Sequence, residues 1–537
     1  MPAYNTECNV AVEWSFTSSG AHSDPFNEVE LDVIFTGPDG REQRVPAFWG
    51  GEREWRVRFS TPDPGVYSFR TVCSDAADSG LHDKTGELRV KPYEGDNPLF
   101  KHGPLRVAEN RRYLEHRDGT PFFWLGDTWW MALTWRLGWP DDMQALTADR
   151  KAKGFTLIHM VAGLYPDMGA FDRNGANEGG QSWEPEWARI NPAYFDAADR
   201  KVQWLVRSGL TPMLVGAWAY YLPWLGMEKM KRHWRYLVAR YGAYPVVWCL
   251  AGELAMPWYL TPREDSARVS KWQMEGWTEI ARYLRAIDPY PRPLSSHCSG
   301  KGSDELLDAS LLDFDMIQTG HGGFTTAVNA ARKVNEAVAS STRPPVINSE
   351  VCYEGILGVG WQDIQRFCFW TTLLSGAPGF SYGANGVWQF NLPGDPTGPS
   401  PHGMTWGDVP WQEASRLPGG AQVGRSKRLL DELPWHRMAP HQEWIDPAAG
   451  PDDWFRPYAA GSPGEFRIVY FPSAIGPWHR PRPTVRCLND GAYKAFWFDP
   501  VTGNRETIGA VQPNAEGEWE VPAPVLGQDL VLVLLRA

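Results

Sequence analysis

The chain has 537 residues, 43% hydrophobic and 22% charged, so it has ample material for packed cores and is not a disordered chain. At roughly 100–200 residues per domain, that length predicts about three domains. The net charge of −12, from 52 Lys and Arg against 64 Asp and Glu, argues against nucleic acid or an anionic membrane as the main partner.

The first residues, Met1 to Cys8, show no basic region followed by an apolar run, so no secretory signal is expected. No stretch of about 18 apolar residues occurs, which excludes a transmembrane helix. The seven Cys are odd in number and none falls in a C-x-x-C frame, so neither a disulfide framework nor a zinc ribbon is expected. The simplest compartment is the cytoplasm.

Residues 1–95 read as short strands: Val10–Phe16, Val29–Thr36, Arg53–Ser60, Gly65–Thr71 and Gly86–Val90 mostly alternate apolar with polar. Turns such as Gly37-Pro38-Asp39-Gly40 separate them, which predicts an antiparallel immunoglobulin-like sandwich. From about residue 120 apolar strands alternate with helical spacing. The strand candidates are Phe122–Leu125, Thr156–Val161, Pro212–Gly216, Val246–Leu250, Leu294–His297, Asp315–Thr319, Pro345–Asn348 and Gly379–Tyr382. Between them, Phe195, Ala198, Val202 and Leu205 form one helical stripe, and Met227, Met230, Trp234, Leu237 and Tyr241 another. Eight strands with helical crossovers over residues 96–434 predict an α/β fold, a (β/α)8 TIM barrel. No glycine fingerprint follows the first strand, which weighs against a dinucleotide fold. Phe390–Gly420, rich in Pro and Gly, reads as a loop over the barrel mouth, with Arg425–Leu433 as the last barrel helix. Phe466–Phe471, Tyr493–Phe498 and Leu530–Leu535 predict a second β-sandwich over residues 435–537.

In a barrel, function sits beyond the C-terminal ends of the strands. Glu253 closes the fourth strand and Glu350 the seventh, so both carboxylates can face one mouth. Glycoside hydrolysis needs such a pair: one carboxylic acid protonates the leaving oxygen, and one carboxylate attacks the anomeric carbon or activates water. The apolar and aromatic surroundings of Glu253 favour its protonated form and hence the acid role. Each Glu taken alone would fit equally well as an Arg partner or a helix cap.

The 29 Trp extend this picture, since indole faces stack on the C–H faces of sugars. Most belong to cores, but Trp129, Trp130, Trp218, Trp224, Trp361 and Trp388 fall in predicted strand-to-helix loops. Asp127 is either a partner for sugar hydroxyls or a helix cap. His159, His297 and His321 with Asp127 leave open a metal-dependent isomerase or amidohydrolase, although no His-x-His or His-Glu-x-x-His occurs. A non-catalytic sugar-binding protein is the third alternative.

The segments Phe123–Trp130 (FWLGDTWW), Trp248–Glu253 and Val346–Gly355 (VINSEVCYEG) resemble the apiosidase-like glycoside hydrolase group, the DUF4038 barrel. The N-terminal part resembles the DUF5060 sandwich, and the C-terminal part is similar to the small putative-collagen-binding sandwich that often follows. Together they cover nearly the whole chain. The resemblance implies a glycosidase with Glu253 as acid/base and Glu350 as nucleophile. The apiosidases carry Asp at the position of Glu253, and the longer side chain moves the proton donor, so the group does not fix the sugar. The expected substrate is a small oligosaccharide or glycoside, cleaved from its end with retention, without cofactor or metal. Asp127, Trp129, His159, Trp218, His297, His321, Tyr353, Glu354 and Trp388 are the candidate substrate contacts. The flanking sandwiches offer surfaces for a homo-oligomer.

Overall fold

The computed structural model describes residues 3–472, 483–522 and 528–537. Its N-terminal part is a sandwich of a five-stranded and a three-stranded sheet. Alternation places Trp14, Phe35, Phe59, Phe69 and Leu88 between the sheets, where Phe35 stacks on Phe59 at 3.9 Å. The sandwich is not wholly antiparallel. Ala3–Glu7, an edge strand whose Tyr4 stacks on Trp14 at 4.3 Å, pairs parallel with Thr85–Lys91. Arg58 of this domain reaches into the barrel, pairs with Asp199 and donates to the Arg240 carbonyl at 2.6 Å. Arg240 donates to the same carboxylate at 2.8 and 2.9 Å, so the buried Asp199, with Glu13 on Arg58 and Asp196 on Arg240, balances two buried guanidinium groups.

A three-stranded sheet (Leu105–Val107, Leu114–His116, Pro121–Phe122) leads into the barrel. The barrel strands are β1 (Trp124–Thr128), β2 (Leu157–Val161), β3 (Thr211–Val215), β4 (Val247–Cys249), β5 (Leu294–Ser295), β6 (Asp315–Gln318), β7 (Val346–Glu350) and β8 (Gly379–Tyr382). They form one sheet in the order 5-4-3-2-1-8-7-6, with parallel ladders throughout. The seam between β5 and β6 is bridged by the Ser295 hydroxyl, 2.8 Å from the Phe314 carbonyl, and by the Asp313 N–H on Leu294. This is the predicted (β/α)8 barrel. Its strands are buried at nearly every position, as two-sided coverage requires.

The crossover helices are α1 (Asp141–Lys153), α2 (Pro192–Arg207), α3 (Met227–Tyr241), α4 (Arg263–Ile287), α5 (Gly323–Ser340), α6 (Gln362–Leu374) and α7 (Pro418–Asp431). After β5 come only one-turn helices, Gly302–Glu305 and Ala309–Leu311. The last helix starts at Pro418 rather than Arg425. Its first turn, Pro418-Gly419-Gly420, has loop-like composition, but proline suits a first helical position and the glycines pack closely. The loop before it also holds the helix Trp411–Ala414. Beyond the barrel, a six-stranded and a three-stranded sheet form the C-terminal β-rich part. Arg366 of α6 grips Asp529 of that part through two bonds of 2.8 and 2.6 Å. The segment after Asp499 turns back as expected, with the Gly503 N–H on the Asp499 carbonyl at 2.7 Å.

Candidate active site

At the C-terminal ends of the strands lies a cavity of about 300 Å³, lined by Trp130, Trp218, Glu253, Gln318, Glu350 and Tyr353 among others. Glu350 is the last residue of β7 and nearly fully buried. Its Oε1 accepts from Gln318 Nε2 at 2.5 Å and lies 3.0 Å from His321 Nε2, which carries the proton in this pairing. Its Oε2 accepts from the Tyr353 hydroxyl and lies 3.4 Å from His297 Nε2. Burial by itself would raise this carboxyl, but His297, His321 and the Tyr353 hydroxyl outweigh it and hold the group well below the usual carboxylate range. Glu350 is thus an ionised, rigidly held carboxylate at neutral pH.

Glu253 is built differently. It sits four residues past β4, at φ +49°, a left-handed conformation that costs a non-glycine residue about 1–2 kcal/mol. Trp218 Nε1 donates to its Oε2 at 3.1 Å. Burial and the negative charge of Glu350 together push its carboxyl up to about 8. The segment before it bridges to Trp218 through Gly252, where a Cβ would lie 2.2 Å from the indole ring. Gly252 is therefore required for that close approach. Gly383 does the same beside Glu350, since a Cβ there would lie 2.1 Å from the Tyr353 ring.

Aromatic rings complete the walls. Trp130 Nε1 donates to the Tyr353 hydroxyl at 3.0 Å, Trp388 Nε1 to Asn385 at 3.2 Å and Trp406 Nε1 to Ser400 at 2.9 Å. With the indole N–H groups engaged in the wall, ring faces and edges remain for apolar contact.

Residues 108–437 match the apiosidase-like catalytic domain. The chain belongs to the apiosidase-like family, a family of glycosidases. Residues 6–74 match DUF5060, a domain of unknown function. A glycoside hydrolase family 5 protein from Bacteroides vulgatus ATCC 8482 is 23% identical, with a TM-score of 0.67 over 83% of this chain and 95% of its own. A proposed glycoside hydrolase from the same organism is 18% identical and has a TM-score of 0.68, covering 99% of this chain and 100% of its own. At these identities the likeness is one of fold. No curated protein matches the chain.

In this apiosidase-like barrel the sequence-selected residues divide into two groups. Glu253, Glu350, Trp218, His321, Tyr353 and Trp388 line one cavity, and His297 stands directly behind Glu350. Asp127, Trp129, His159 and Glu354 do not line it. Asp127 is fully buried and accepts from Arg150 Nε at 2.5 Å and Trp129 Nε1 at 2.6 Å, which also accounts for Trp129. His159 Nε2 lies 2.8 Å from the Ser381 hydroxyl, and burial pushes the imidazole down to about 3, leaving it neutral. Glu354 accepts from the Gly419 N–H at 3.0 Å on both oxygens and from the Tyr382 hydroxyl, so it caps α7. Among the described residues, no three His, Cys, Asp or Glu side chains are placed to share a metal ion.

Sequence reasoning missed Asp167, Met256, Tyr259, Gln318, Ile356, His402 and Trp406, all of which line the cavity. Gln318 ends β6 and was findable by the strand-end rule. His402 and Trp406 lie in the Pro- and Gly-rich loop, whose composition predicts a cover and does not show which side chains it turns inward.

Proposed function

We propose that this glycosidase is a retaining, exo-acting enzyme for a small oligosaccharide or glycoside, with Glu253 as acid/base and Glu350 as nucleophile. The observation that carries this reading is the opposite displacement of two carboxyls in one cavity: Glu253 is raised to about 8, while Glu350 is held low. Such a split gives one proton donor and one ionised carboxylate at the same pH. In the first step Glu253 gives its proton to the leaving oxygen as the Glu350 carboxylate attacks the anomeric carbon. In the second, the Glu253 carboxylate removes a proton from water, which displaces Glu350 and releases the sugar. The Tyr353 hydroxyl, Gln318 and His321 fix the attacking carboxylate without protonating it. Exo action is supported by the loop after β8, whose His402 and Trp406 wall one side of the cavity. The free thiols of Cys8, Cys73, Cys249, Cys298, Cys352, Cys368 and Cys487 fit a reducing compartment, so the cytoplasm is our placement.

A screen against aryl glycosides of both anomers, in furanose and pyranose forms, tests the reading. NMR of the first-formed product from any substrate found then reads the anomer. We expect turnover of at least one glycoside with retained configuration; an inverted first product would remove the nucleophile role from Glu350.

A further inference from the structure

In the same cavity, three loops meet at Asp167. The residue lies in the loop after β2 at φ +56°, another left-handed conformation that is unfavourable for a side-chain-bearing residue. Ser400, from the loop after β8, donates to Asp167 Oδ1 at 2.6 Å and itself accepts from Trp406 Nε1 at 2.9 Å. Tyr259, from the loop after β4, also faces this carboxylate and stacks on His402 at 5.1 Å with the rings 20° apart. Asp167 is half-buried, and burial raises its carboxyl above the usual range. Among the described residues no Lys or Arg pairs with it, and none lines the cavity. The carboxyl groups facing the space are thus Asp167, Glu350 and the protonated Glu253, with His321 and His402 as the imidazoles.

Ser400, Tyr259 and Trp406 hold this carboxylate at the cavity wall without a cation, and two carboxylate oxygens with about four lone-pair sites can still accept from hydrogen-bond donors on whatever fills the cavity. Sugar hydroxyls supply such donors, while a second carboxylate, a sulfate or a phosphate would meet the negative charges of Asp167 and Glu350 with no Lys or Arg among the described lining residues to offset them. We propose that Asp167 is a substrate-specificity residue that accepts hydrogen bonds from hydroxyls of an uncharged sugar, and that the site rejects uronic acids and other anionic glycosides. The proposal rests on the glycosidase reading for its reacting end and adds the class of sugar. Asp167 plays no part in the bond-breaking itself. Its latch to Ser400 also ties the loop after β8 across the cavity, so one contact both recognises the sugar and closes the pocket behind it.

The test has a binding arm and a turnover arm, both on the full chain. In the first, intrinsic Trp fluorescence follows titration with neutral aldoses and with glucuronic and galacturonic acids, for wild type, Asp167→Asn and Asp167→Ala. Neutral sugars should bind wild type, the uronic acids should bind at least tenfold more weakly, and both variants should lose about 10- to 100-fold in affinity for the neutral sugar. In the second arm, the aryl glycoside turned over by wild type is compared with its monodeoxy analogues. One deoxy position should cost wild type about tenfold in kcat/KM and cost Asp167→Ala nothing, a coupling that a merely structural residue would not produce. Circular dichroism verifies that the variants fold. Preference for a uronide, or wild-type affinity and kcat/KM in Asp167→Asn and Asp167→Ala, overturns the proposal even if glycosides are hydrolysed. Asp167-dependent binding without turnover of any glycoside upholds the proposal and instead sinks the catalytic reading. Absence of both binding and turnover overturns both.

Discussion

Replacing Trp218 by Phe keeps an aromatic wall but removes the N–H that Glu253 accepts at 3.1 Å. That bond favours the ionised carboxylate, so its loss should raise the carboxyl further above its value of about 8. A hydrogen bond to a charged group contributes about 1.5–3 kcal/mol, and one pKa unit corresponds to about 1.36 kcal/mol. Because Glu253 is only partly buried and water can replace part of the lost bond, the lower end applies, which gives a rise of about one unit. The assay is the pH profile of kcat/KM for a glycoside with a poor leaving group, so that protonation by Glu253 stays within the measured rate. In wild type the rate should rise as Glu350 ionises, below the ordinary carboxylate value of 4.5, and fall as Glu253 loses its proton near pH 8. In Trp218→Phe the alkaline limb should move up while the acid limb stays in place. An alkaline limb that stays put or moves down would refute the assignment of Glu253 as the titrating acid held by Trp218.

Other outcomes follow from the same contacts. Glu350→Gln removes the negative charge that helps keep Glu253 protonated, so NMR titration of Glu253 in that variant should show a value below 8. Gly252→Ala forces a Cβ to within 2.2 Å of the Trp218 ring, and kcat should drop about 100-fold or more while circular dichroism stays unchanged. Asp127→Ala takes the fully buried carboxylate from Arg150 and leaves it only Asp149 and the Ser415 carbonyl, so it should cost about 1.5–3 kcal/mol in denaturant unfolding; a loss under 1 kcal/mol would remove the structural role given to this ion pair. Chelator treatment should leave turnover unchanged, since the proposed steps use only protein carboxyls.

The barrel was legible because its strands are two-sided and apolar, a pattern that survives without any alignment. Glu253 and Glu350 stood out for the same reason: a charge that ends an apolar run has few cheap explanations. Residues whose position depends on a distant partner were not resolved by the sequence. Asp127 and Glu354 sit in the right motifs, but their partners, Arg150 and the Gly419 N–H, are 23 and 65 positions away. Nothing local distinguishes such a carboxylate from one that faces a substrate. The cavity-lining Asp167 was missed for the converse reason, because it follows β2 on a long loop and only the folded chain brings Ser400 and Tyr259 to it. The excess of Trp was real as a signal but coarse: Trp218 and Trp388 reach the cavity, Trp129 serves Asp127, and Trp361 is 46% exposed.

The most direct measurement is chemical rescue of Glu350→Ala with azide on an activated aryl glycoside. The account predicts a fall in kcat of about 10⁴-fold or more, partial recovery with azide, and a glycosyl azide of inverted anomeric configuration as the product. Wild-type turnover in Glu350→Ala would contradict it outright, and recovery that yields only free sugar of retained configuration would show that another group attacks the anomeric carbon.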